Sequence, residues 1–485
     1  MLKTIITSIC IAIILSTQLF AHSGKPKYHI VIDTDGAIDD MRSISTFLSG
    51  NEIRVLAITC SQGTLKPEDV YIKVNDLLSS FHHEGIPVGI GQVVAAKLPV
   101  WTSFAENIKW GNDEEIQNGN VSPDALQILS QSTENYKSKI TLIALGSLKT
   151  YADWIRADSS VLSKIERIVW YNHQNIQKGF NYQVSPESFN FIKSSGISLE
   201  IVSSNTSELL VDEAYLNEIK KTKSIYAQQI KQVHEQPEVV AKIKQKHLQL
   251  WDDIVPLYLT APVLFEISVI DEIQCATLSN AIPVNFIYES IGKLLSSASQ
   301  TNNRVFASFP IDTTLYKPNY SAIVNNTIAK FGLIEWKAIT LTNEIHGHTG
   351  IYSIIGAKMG IRAMEYFNIG VNNMEVTTFA GNVPPLSCFN DGIQISTGAT
   401  IGQGLITVSD SISTILSAIF EFNGRKINIS VKPEIAEKMQ KEIIYGVQNY
   451  GLLTDKYWIY IEDLAIKYWA ELNRYDIFLI HETYN

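Results

Sequence analysis

The chain has 485 residues, of which 45% are hydrophobic and 18% charged, and its formal net charge is −10 at pH 7. This composition predicts a globular protein of two or three domains and excludes an intrinsically disordered one. The sequence contains no long basic run that could neutralise phosphates, so nucleic-acid binding is not expected, and small neutral or cationic partners fit better.

The N-terminal segment, MLKTIITSICIAIILSTQLFAHSG, has the layout of a secretory signal peptide, with one lysine and then an apolar stretch from Ile5 to Leu15. Ala21 supplies the small residue that permits cleavage. We therefore expect residues 1–21 to be a signal peptide, and the mature protein, beginning near His22, to be exported to the periplasm without membrane association. A buried first strand or a retained anchor is the alternative. Three cysteines would then remain, an odd number, so at least one is expected to be free or bound to a metal.

Short apolar runs alternate with helical patterns from about residue 28 to residue 205. Strands are predicted at residues 29–33, 53–59, 86–91, 139–146, 165–171 and 197–204, and helices at Asp39–Leu48, Val70–Phe81, Leu148–Ala157 and Pro186–Ser194. Continuously apolar strands between helices predict an α/β fold with an open, mostly parallel sheet covered on both faces. Ligands in such folds bind beyond the carboxyl ends of the strands.

Four aspartates follow the first predicted strand in VIDTDGAIDD: Asp33, Asp35, Asp39 and Asp40. Carboxylates this close stay ionised together when a hard cation lies between them, and oxygen ligands suit calcium or, less well, magnesium. Gly36 allows a tight turn, and a helix beginning near Asp39 would direct its N-terminal dipole at the same anions. The alternative is that these aspartates only cap a helix and face water.

Residues 206–264 are predicted to be mostly helical, for example in EVVAKIKQKHLQLWDDIVPLYL, and residues 303–320 to return to strand and turn. The segment IVNNTIAKFGLIEWKAITLTNE then closes a first domain. We expect this domain to span residues 22–337 and a second, smaller α+β domain to span residues 338–485. No Pro/Gly/Ser-rich spacer separates them in the sequence, so the two domains are expected to pack firmly.

The second domain carries the segment NEIHGHTGIYSIIGAKMGIRAMEYF, followed by LSCFNDGIQISTGATIGQG. His346 and His348 are two residues apart, which places them on one side of an extended segment or tight loop and not of a helix. Such a pair can chelate a transition metal, and Cys388 and Asp391, at the start of the next helical pattern, can complete the site for zinc or a similar ion. The alternative is two ordinary histidines and a buried free cysteine.

Five segments of the first domain carry a family resemblance: VIDTDGAIDD, AITCSQG, LIALGSLKTYA, FNYQVSPES and LWDDIVPLY. In this order they resemble the inosine–uridine-preferring nucleoside hydrolases, over residues 28 to about 335. The resemblance implies an open, mostly parallel sheet and hydrolysis of the N-glycosidic bond of a nucleoside or related riboside. In that reaction a calcium-activated water attacks C1 of the ribose, and carboxylates stabilise the oxocarbenium-like sugar.

The same resemblance implies roles for individual residues. Calcium would be held by Asp35, Asp40, Asp252 and the backbone carbonyl of Leu145. Asp35 would also accept the proton of the attacking water, Asp39 would hold ribose hydroxyls, and Asn181 would contact the sugar.

Several positions depart from the family pattern: Gly36-Ala37 replaces Pro-Gly, Gly63-Thr64 replaces Gly-Asn, and Leu148-Lys149-Thr150 replaces Leu-Thr-Asn. Members usually carry Glu, Asp and His at the positions of Gly179, Ser185 and Trp251. The metal ligands are therefore kept, while residues that bind the ribose and residues on the leaving-group side are lost. Trp251 either stacks on a base or lies in the core. His247, one helical turn before it, is either a substitute acid or a surface residue. Two functions stay open: a hydrolase, or a binding or sensing protein that uses the metal to hold a sugar-like ligand.

The second domain resembles the N-terminal domain of the E-type subunit of formylmethanofuran dehydrogenase over roughly residues 338–480, most strongly in CFNDGIQISTGATIGQG. That family normally has Cys-Pro-Gly after the histidine pair and a cysteine in the later glycine-rich motif, where this chain has Gly350-Ile351-Tyr352 and Ala399. The resemblance implies a fold and a bound zinc-like ion, but no reaction. A homo-oligomer is compatible with the sequence.

Overall fold

The computed structural model describes residues 26–111, 123–204, 208–297 and 303–483. The predicted signal peptide, residues 1–21, and the mature N-terminus at His22 lie outside the described residues. Among the helices that the structure describes, none combines the length and the apolar composition that crossing a membrane requires.

The N-terminal part of the chain is built around an eight-stranded sheet. Its strands are β1 (Tyr28–Thr34), β2 (Ile53–Cys60), β3 (Val88–Ile90), β4 (Ile140–Ala144), β5 (Ile165–Tyr171), β6 (Leu199–Ser204), β7 (Phe265–Ile270) and β8 (Ile273–Leu278). They lie in the order β3-β2-β1-β4-β5-β6-β8-β7, and every neighbouring pair is parallel except the antiparallel edge hairpin of β7 and β8. The predicted open, mostly parallel α/β sheet is therefore confirmed.

Helices cover both faces of this sheet. They are α1 (Ile38–Ser49), α2 (Pro67–Ser80), α3 (Thr102–Asn107), α4 (Ala125–Glu134), α5 (Lys149–Ala157), α6 (Phe180–Val184), α7 (Pro186–Ser194), α8 (Glu213–Lys221), α9 (Ile225–His234), α10 (Pro237–Lys244), α11 (Ile254–Thr260) and α12 (Val284–Ser296). Successive side chains of a strand point to opposite faces, so Ile30 and Ile32 belong to one apolar core and Val31 to another. Because both faces of the central strands are buried, those strands are mostly apolar, which is why their positions could be predicted.

The segment between α10 and α11 is not helical. Backbone hydrogen bonds from Val211 N to Leu248 O and from Leu250 N to Leu209 O hold it beside another segment in a strand-like pairing. The prediction that His247 lies one helical turn before Trp251 is therefore wrong, because tertiary pairing overrides the helical pattern there.

A second, five-stranded sheet organises the C-terminal part. Its strands are β9 (Glu375–Thr378), β10 (Ile406–Val408), β11 (Ser417–Phe422), β12 (Arg425–Val431) and β13 (Phe478–Thr483), and the helices are α13 (Pro318–Ser321), α14 (Val324–Phe331), α15 (Leu333–His346), α16 (Ile351–Phe367), α17 (Cys388–Thr397), α18 (Pro433–Tyr450) and α19 (Asp455–Glu471). The strand order is β10-β9-β11-β12-β13, and only β10 and β9 run parallel. This agrees with the predicted smaller α+β unit.

The second apolar core begins before the predicted domain boundary. Phe309, Val324 and Trp336 already belong to it, and the boundary predicted between residues 337 and 338 lies inside α15. The strand predicted within residues 303–320 is wrong: this stretch forms turns and short helices, since Pro310 and Pro318 lack the N–H that a strand ladder needs.

The two sheet-containing parts contact each other through the residues that follow α2. Arg362 Nη2 donates to both carboxylate oxygens of Glu84, at 3.0 and 3.1 Å, and Arg362 Nη1 donates to the carbonyl oxygen of His82. The backbone N–H of Gly85 donates to the carbonyl of Tyr366. A bidentate ion pair and a backbone bond therefore join α16 to the first part of the chain.

Candidate active site

The aspartate-rich loop folds back on itself at the carboxyl end of β1. Gly36 adopts a φ of +80°, which residues with a side chain rarely adopt, and the chain turns directly into α1. Asp40, in the first turn of α1, accepts hydrogen bonds at Oδ2 from Thr34 Oγ1 (2.6 Å) and from the backbone N–H of Asp35 (3.0 Å). These bonds fix the Asp40 carboxylate over the end of the strand. Asp33 points instead to β2 and accepts from Thr59 Oγ1.

Asp252, two residues before α11, completes a cluster of buried carboxylates. Ligand oxygens of Asp39, Asp40 and Asp252 all lie within 4.8 Å of one another. Asp35 is not one of this trio, but its carboxylate is buried close enough that the charges of Asp40 and Asp39 raise its pKa. In the part of the chain that the structure describes, the buried Oδ1 atoms of Asp35 and Asp252 have no hydrogen-bond partner.

Without a cation, burial and mutual repulsion disfavour the charged forms of these carboxylates. Burial, and then the charge of Asp40, raise the pKa of Asp35 and Asp252 well above the ordinary range, and raise the pKa of Asp39 to about 7. The Asp40 and Asp252 carboxylates lie so close that, without a cation, a proton on one of them would be shared with the other. Buried carboxylates with two unpartnered oxygens fit a hard divalent cation, since the cation can replace the shared proton and satisfy both oxygens.

The predicted backbone ligand lies at the same edge of the sheet. The N–H of Leu145 donates to the carbonyl of Asp33 at 2.9 Å, so Leu145 immediately continues β4 beside β1. Asn181 Nδ2 donates to the carbonyls of Leu145 (2.6 Å) and Tyr171 (3.0 Å). The amide nitrogen of Asn181 therefore orients the Leu145 carbonyl, whose second lone pair stays available to a cation.

Residues outside the predicted set of site residues also support Asp35. The hydroxyl and the backbone N–H of Thr64 face its carboxylate as donors and act to lower its pKa. Gly63 packs so closely that a Cβ at this position would overlap the Asp35 carboxylate. Trp101 Nε1 in turn donates to Thr64 Oγ1 at 3.3 Å, and its ring packs edge-on against Phe180. The Gly63-Thr64 pair follows β2 in the sequence. Its position at the carboxyl end of a strand is the feature from which a role in the site could have been predicted.

The departures from the family pattern at Gly179, Ser185 and Trp251 have different structural settings. At Gly179 a side chain has no room, because its Cβ would overlap Oδ1 of Asn172. Ser185 is buried and its hydroxyl hydrogen-bonds with Glu187 and Ser188, so it replaces a charged group with a locally satisfied one. The side chain of Trp251 is 47% exposed, so the alternative that it lies in the core is wrong.

The structure brings together only some of the residues predicted for the second metal site, which are His346, His348, Cys388 and Asp391. His346 is the last residue of α15, and His348 follows the left-handed Gly347, so the prediction that neither residue is helical is wrong for His346. The two rings lie 4.2 Å apart between centroids, and His346 Nδ1 is 2.9 Å from Asp391 Oδ2.

The remaining ring nitrogen, His346 Nε2, is buried and has no partner among the residues that the structure describes. Cys388 starts α17, one helical turn before Asp391, and burial raises the pKa of its thiol. Within the described ranges, these residues do not form a group of three ligands within 4.8 Å of one another, unlike the carboxylate trio.

Comparisons with known proteins agree with this arrangement. The family model of the inosine-uridine preferring nucleoside hydrolases matches residues 30–308, and that of FmdE, molybdenum formylmethanofuran dehydrogenase operon, matches residues 345–450. Uridine nucleosidase 1 of Arabidopsis thaliana is 24% identical over 214 residues, covering 41% of this chain and 64% of that protein. The pyrimidine-specific ribonucleoside hydrolase RihA of Shewanella oneidensis is 27% identical over 180 residues, covering 35% and 56%.

The match thus spans less than two thirds of the length of these curated relatives. Among solved structures, a plant nucleoside hydrolase aligns with a TM-score of 0.45 at 19% identity, covering 56% of this chain and 99% of that one. The family model alone covers more than half of the sequence. The chain belongs to the inosine-uridine preferring nucleoside hydrolase family.

Proposed function

We propose that this protein is an exported, calcium-dependent hydrolase of the N-glycosidic bond in nucleosides or related ribosides. The observation that carries the proposal is the buried carboxylate cluster at the carboxyl end of β1, with unpartnered oxygens on Asp35 and Asp252. Relatives whose names describe uridine or pyrimidine ribonucleoside hydrolysis support the substrate class. Export rests on the signal-peptide pattern, and the mass of the mature chain tests it.

Calcium would be held by Asp35, Asp40, Asp252 and the carbonyl of Leu145. When bound, it would lower the pKa of a water at the site and so supply the nucleophile near neutral pH. Asp35 then has one oxygen facing the Thr64 donors and one unpartnered, which suits a group that accepts a proton. Asp39 would hold the ribose hydroxyls.

On the leaving-group side, Trp251 stands where the family pattern has a histidine. Trp251 cannot donate a proton to a departing base, and His247 is exposed on the non-helical segment between α10 and α11. Loss of general acid assistance typically costs about 10²–10⁴-fold in rate. We therefore expect slow turnover of inosine and uridine, and measurable hydrolysis of a riboside with a good leaving group, such as p-nitrophenyl riboside.

The test compares p-nitrophenyl riboside, inosine and uridine as substrates of the wild type and of Asp35→Ala. Asp410→Ala, which removes an exposed carboxylate outside the cluster, is the matched control. The proposal predicts calcium-dependent release of p-nitrophenol that is lost in Asp35→Ala and in excess chelator, but kept in Asp410→Ala. Cleavage that persists unchanged in Asp35→Ala would contradict it.

A second function, metal-dependent binding or sensing of a sugar-like ligand without catalysis, is favoured by one observation: Asn172 fills the space that a side chain at position 179 would need. Calcium and ribose binding without cleavage of even the activated riboside would select this function.

We also propose that His346, His348, Cys388 and Asp391 take up a zinc-like ion. The buried, unpartnered Nε2 of His346 supports this second site.

A further inference from the structure

Arg42 is a fully buried cation directly behind the carboxylate cluster. It lies on α1 two residues after Asp40. Its Nε donates to Asp253 Oδ1 and its Nη2 to Asp253 Oδ2, both at 2.8 Å. This two-pronged geometry is the strongest form of an arginine–carboxylate pair, and a lysine cannot reproduce it.

The same guanidinium reaches two further segments. Nη2 also donates to the carbonyl of Gln249 at 2.8 Å, and Nη1 lies 3.4 Å from Nε2 of His234 on α9. His234 Nδ1 donates to the carbonyl of Ile230, so its Nε2 faces Arg42 as a neutral acceptor. Burial and the charge of Arg42 keep this histidine uncharged by lowering its pKa to about 3. Arg42 therefore joins α1, α9 and the segment before α11.

That segment contains Asp252. Strand-like pairing holds it as far as Leu250, whose N–H donates to the carbonyl of Leu209, and the carbonyl of Asp252 accepts from the N–H of Val255 in the first turn of α11. Arg42 donates hydrogen bonds on both sides of Asp252, to the carbonyl of Gln249 and to the carboxylate of Asp253. A buried ion pair is weak evidence for stability, because desolvation offsets most of the Coulomb gain. Asp253 of this pair is adjacent to Asp252, a carboxylate of the cluster. This position points to a role in orienting the cluster and not only in stabilising the fold.

We propose that Arg42 is a positioning residue for the cation site: by fixing Asp253, its guanidinium holds Asp252 against Asp39 and Asp40. This inference rests on the proposed function, because it assumes that the carboxylate cluster binds calcium. It assigns to Arg42 and Asp253 a role that a simple charge argument would not predict.

The charge of Arg42 and its geometry make opposite predictions for calcium affinity. A positive charge behind the site repels calcium, so by charge alone the removal of Arg42 would tighten binding. If Arg42 positions Asp252, its removal weakens binding because one ligand is no longer held in place. Arg42→Lys keeps the positive charge but cannot make the two-pronged hydrogen bonds to Asp253. Its calcium affinity therefore measures the effect of positioning separately from the effect of charge.

The experiment measures calcium dissociation constants by titration calorimetry on the chelator-stripped mature protein. The variants are Arg42→Lys and the double substitution Arg42→Met/Asp253→Leu, which removes the pair together and so leaves no buried charge unpaired. The control is Lys358→Met/Glu335→Leu, which removes a fully buried ion pair of the second core. We expect both Arg42 variants to bind calcium at least about 10-fold more weakly, and the control to bind as the wild type does.

Binding by both folded Arg42 variants within about 2-fold of the wild type, or tighter, would overturn the role of Arg42 while leaving the calcium site standing. Equal weakening in the control would also overturn it, by showing a general effect of lost stability. If Arg42→Lys does not fold, the double variant decides. Absence of calcium binding by the wild type would overturn this inference together with the calcium part of the proposed function.

Discussion

Acidification should destabilise the protein through His83, at the contact between its two sheet-containing parts. His83 is buried, and its ring nitrogens lie 2.7 Å from the carbonyl of Glu365 and 2.7 Å from the hydroxyl of Tyr226. A neutral ring satisfies both partners, with Nδ1 donating to the carbonyl and Nε2 accepting from the phenol. Burial lowers the pKa of His83 from 6.5 to about 4.

The sign of the effect follows from the protons that each state binds. Between pH 6.5 and 4 the unfolded chain protonates this histidine and the folded chain does not. The contribution of His83 to stability is therefore complete above pH 6.5 and is lost as the pH falls toward 4. At about 1.36 kcal/mol per pKa unit, the loss amounts to about 2–3 kcal/mol at pH 4.5.

Guanidinium unfolding of the wild type and of His83→Gln, at pH 7.5 and pH 4.5, measures this loss. Glutamine keeps a donor and an acceptor but does not titrate. His234, whose pKa burial also lowers, titrates in both proteins and so cancels in the comparison. We expect the wild type to lose about 2 kcal/mol more than the variant between the two pH values. A difference below about 0.5 kcal/mol would refute the reasoning.

Three further substitutions test other parts of the molecule. Gly63→Ala should displace the Asp35 carboxylate, because the added Cβ overlaps it, and should lower kcat for p-nitrophenyl riboside at least about 10-fold. Lys358→Met should destabilise the chain by about 1–3 kcal/mol, because the fully buried Glu335 loses a charged hydrogen-bond donor and keeps its ion pair with Arg474, as denaturant unfolding would show. His348→Ala should reduce the zinc content of the purified protein, measured by elemental analysis, because one of two adjacent imidazoles is lost.

Each of these expectations has a result that would contradict it. Gly292→Ala, where a Cβ meets nothing closer than 3.5 Å, is the control for Gly63→Ala, and equal activity in both would show that Asp35 tolerates the crowding. Adding Glu335→Leu to Lys358→Met is expected to restore stability, because Arg474 keeps its ion pair with Glu365. Failure to restore stability would show that lost packing, or the lost contact between Arg474 and Glu335, sets the cost. Unchanged zinc in His348→Ala would remove the second metal site.

The parallel core could be predicted from the sequence because its strands are buried on both faces. The predicted strand at residues 165–171 matches β5 residue for residue. The edge hairpin of β7 and β8 was missed, because most of β7 is exposed and its Ile267 and Val269 face away from the core. Edge strands lack the continuous burial that makes central strands recognisable.

The site could be predicted only where its residues follow one another in the chain. The sequence places Asp35, Asp39 and Asp40 within six residues, so their spacing alone predicts that their carboxylates lie close together. Arg42 and Asp253 are 211 positions apart, and only the packing of α1 against α11 brings them together. The sequence around Arg42 gives no sign of which distant carboxylate it pairs with.

A crystal structure of the mature protein grown with calcium and ribose tests the central claim most directly. We predict one calcium ion bound by carboxylate oxygens of Asp35, Asp40 and Asp252 at about 2.3–2.6 Å, with the ribose hydroxyls at Asp39. At saturating calcium, a carboxylate cluster that holds no ion would contradict the account.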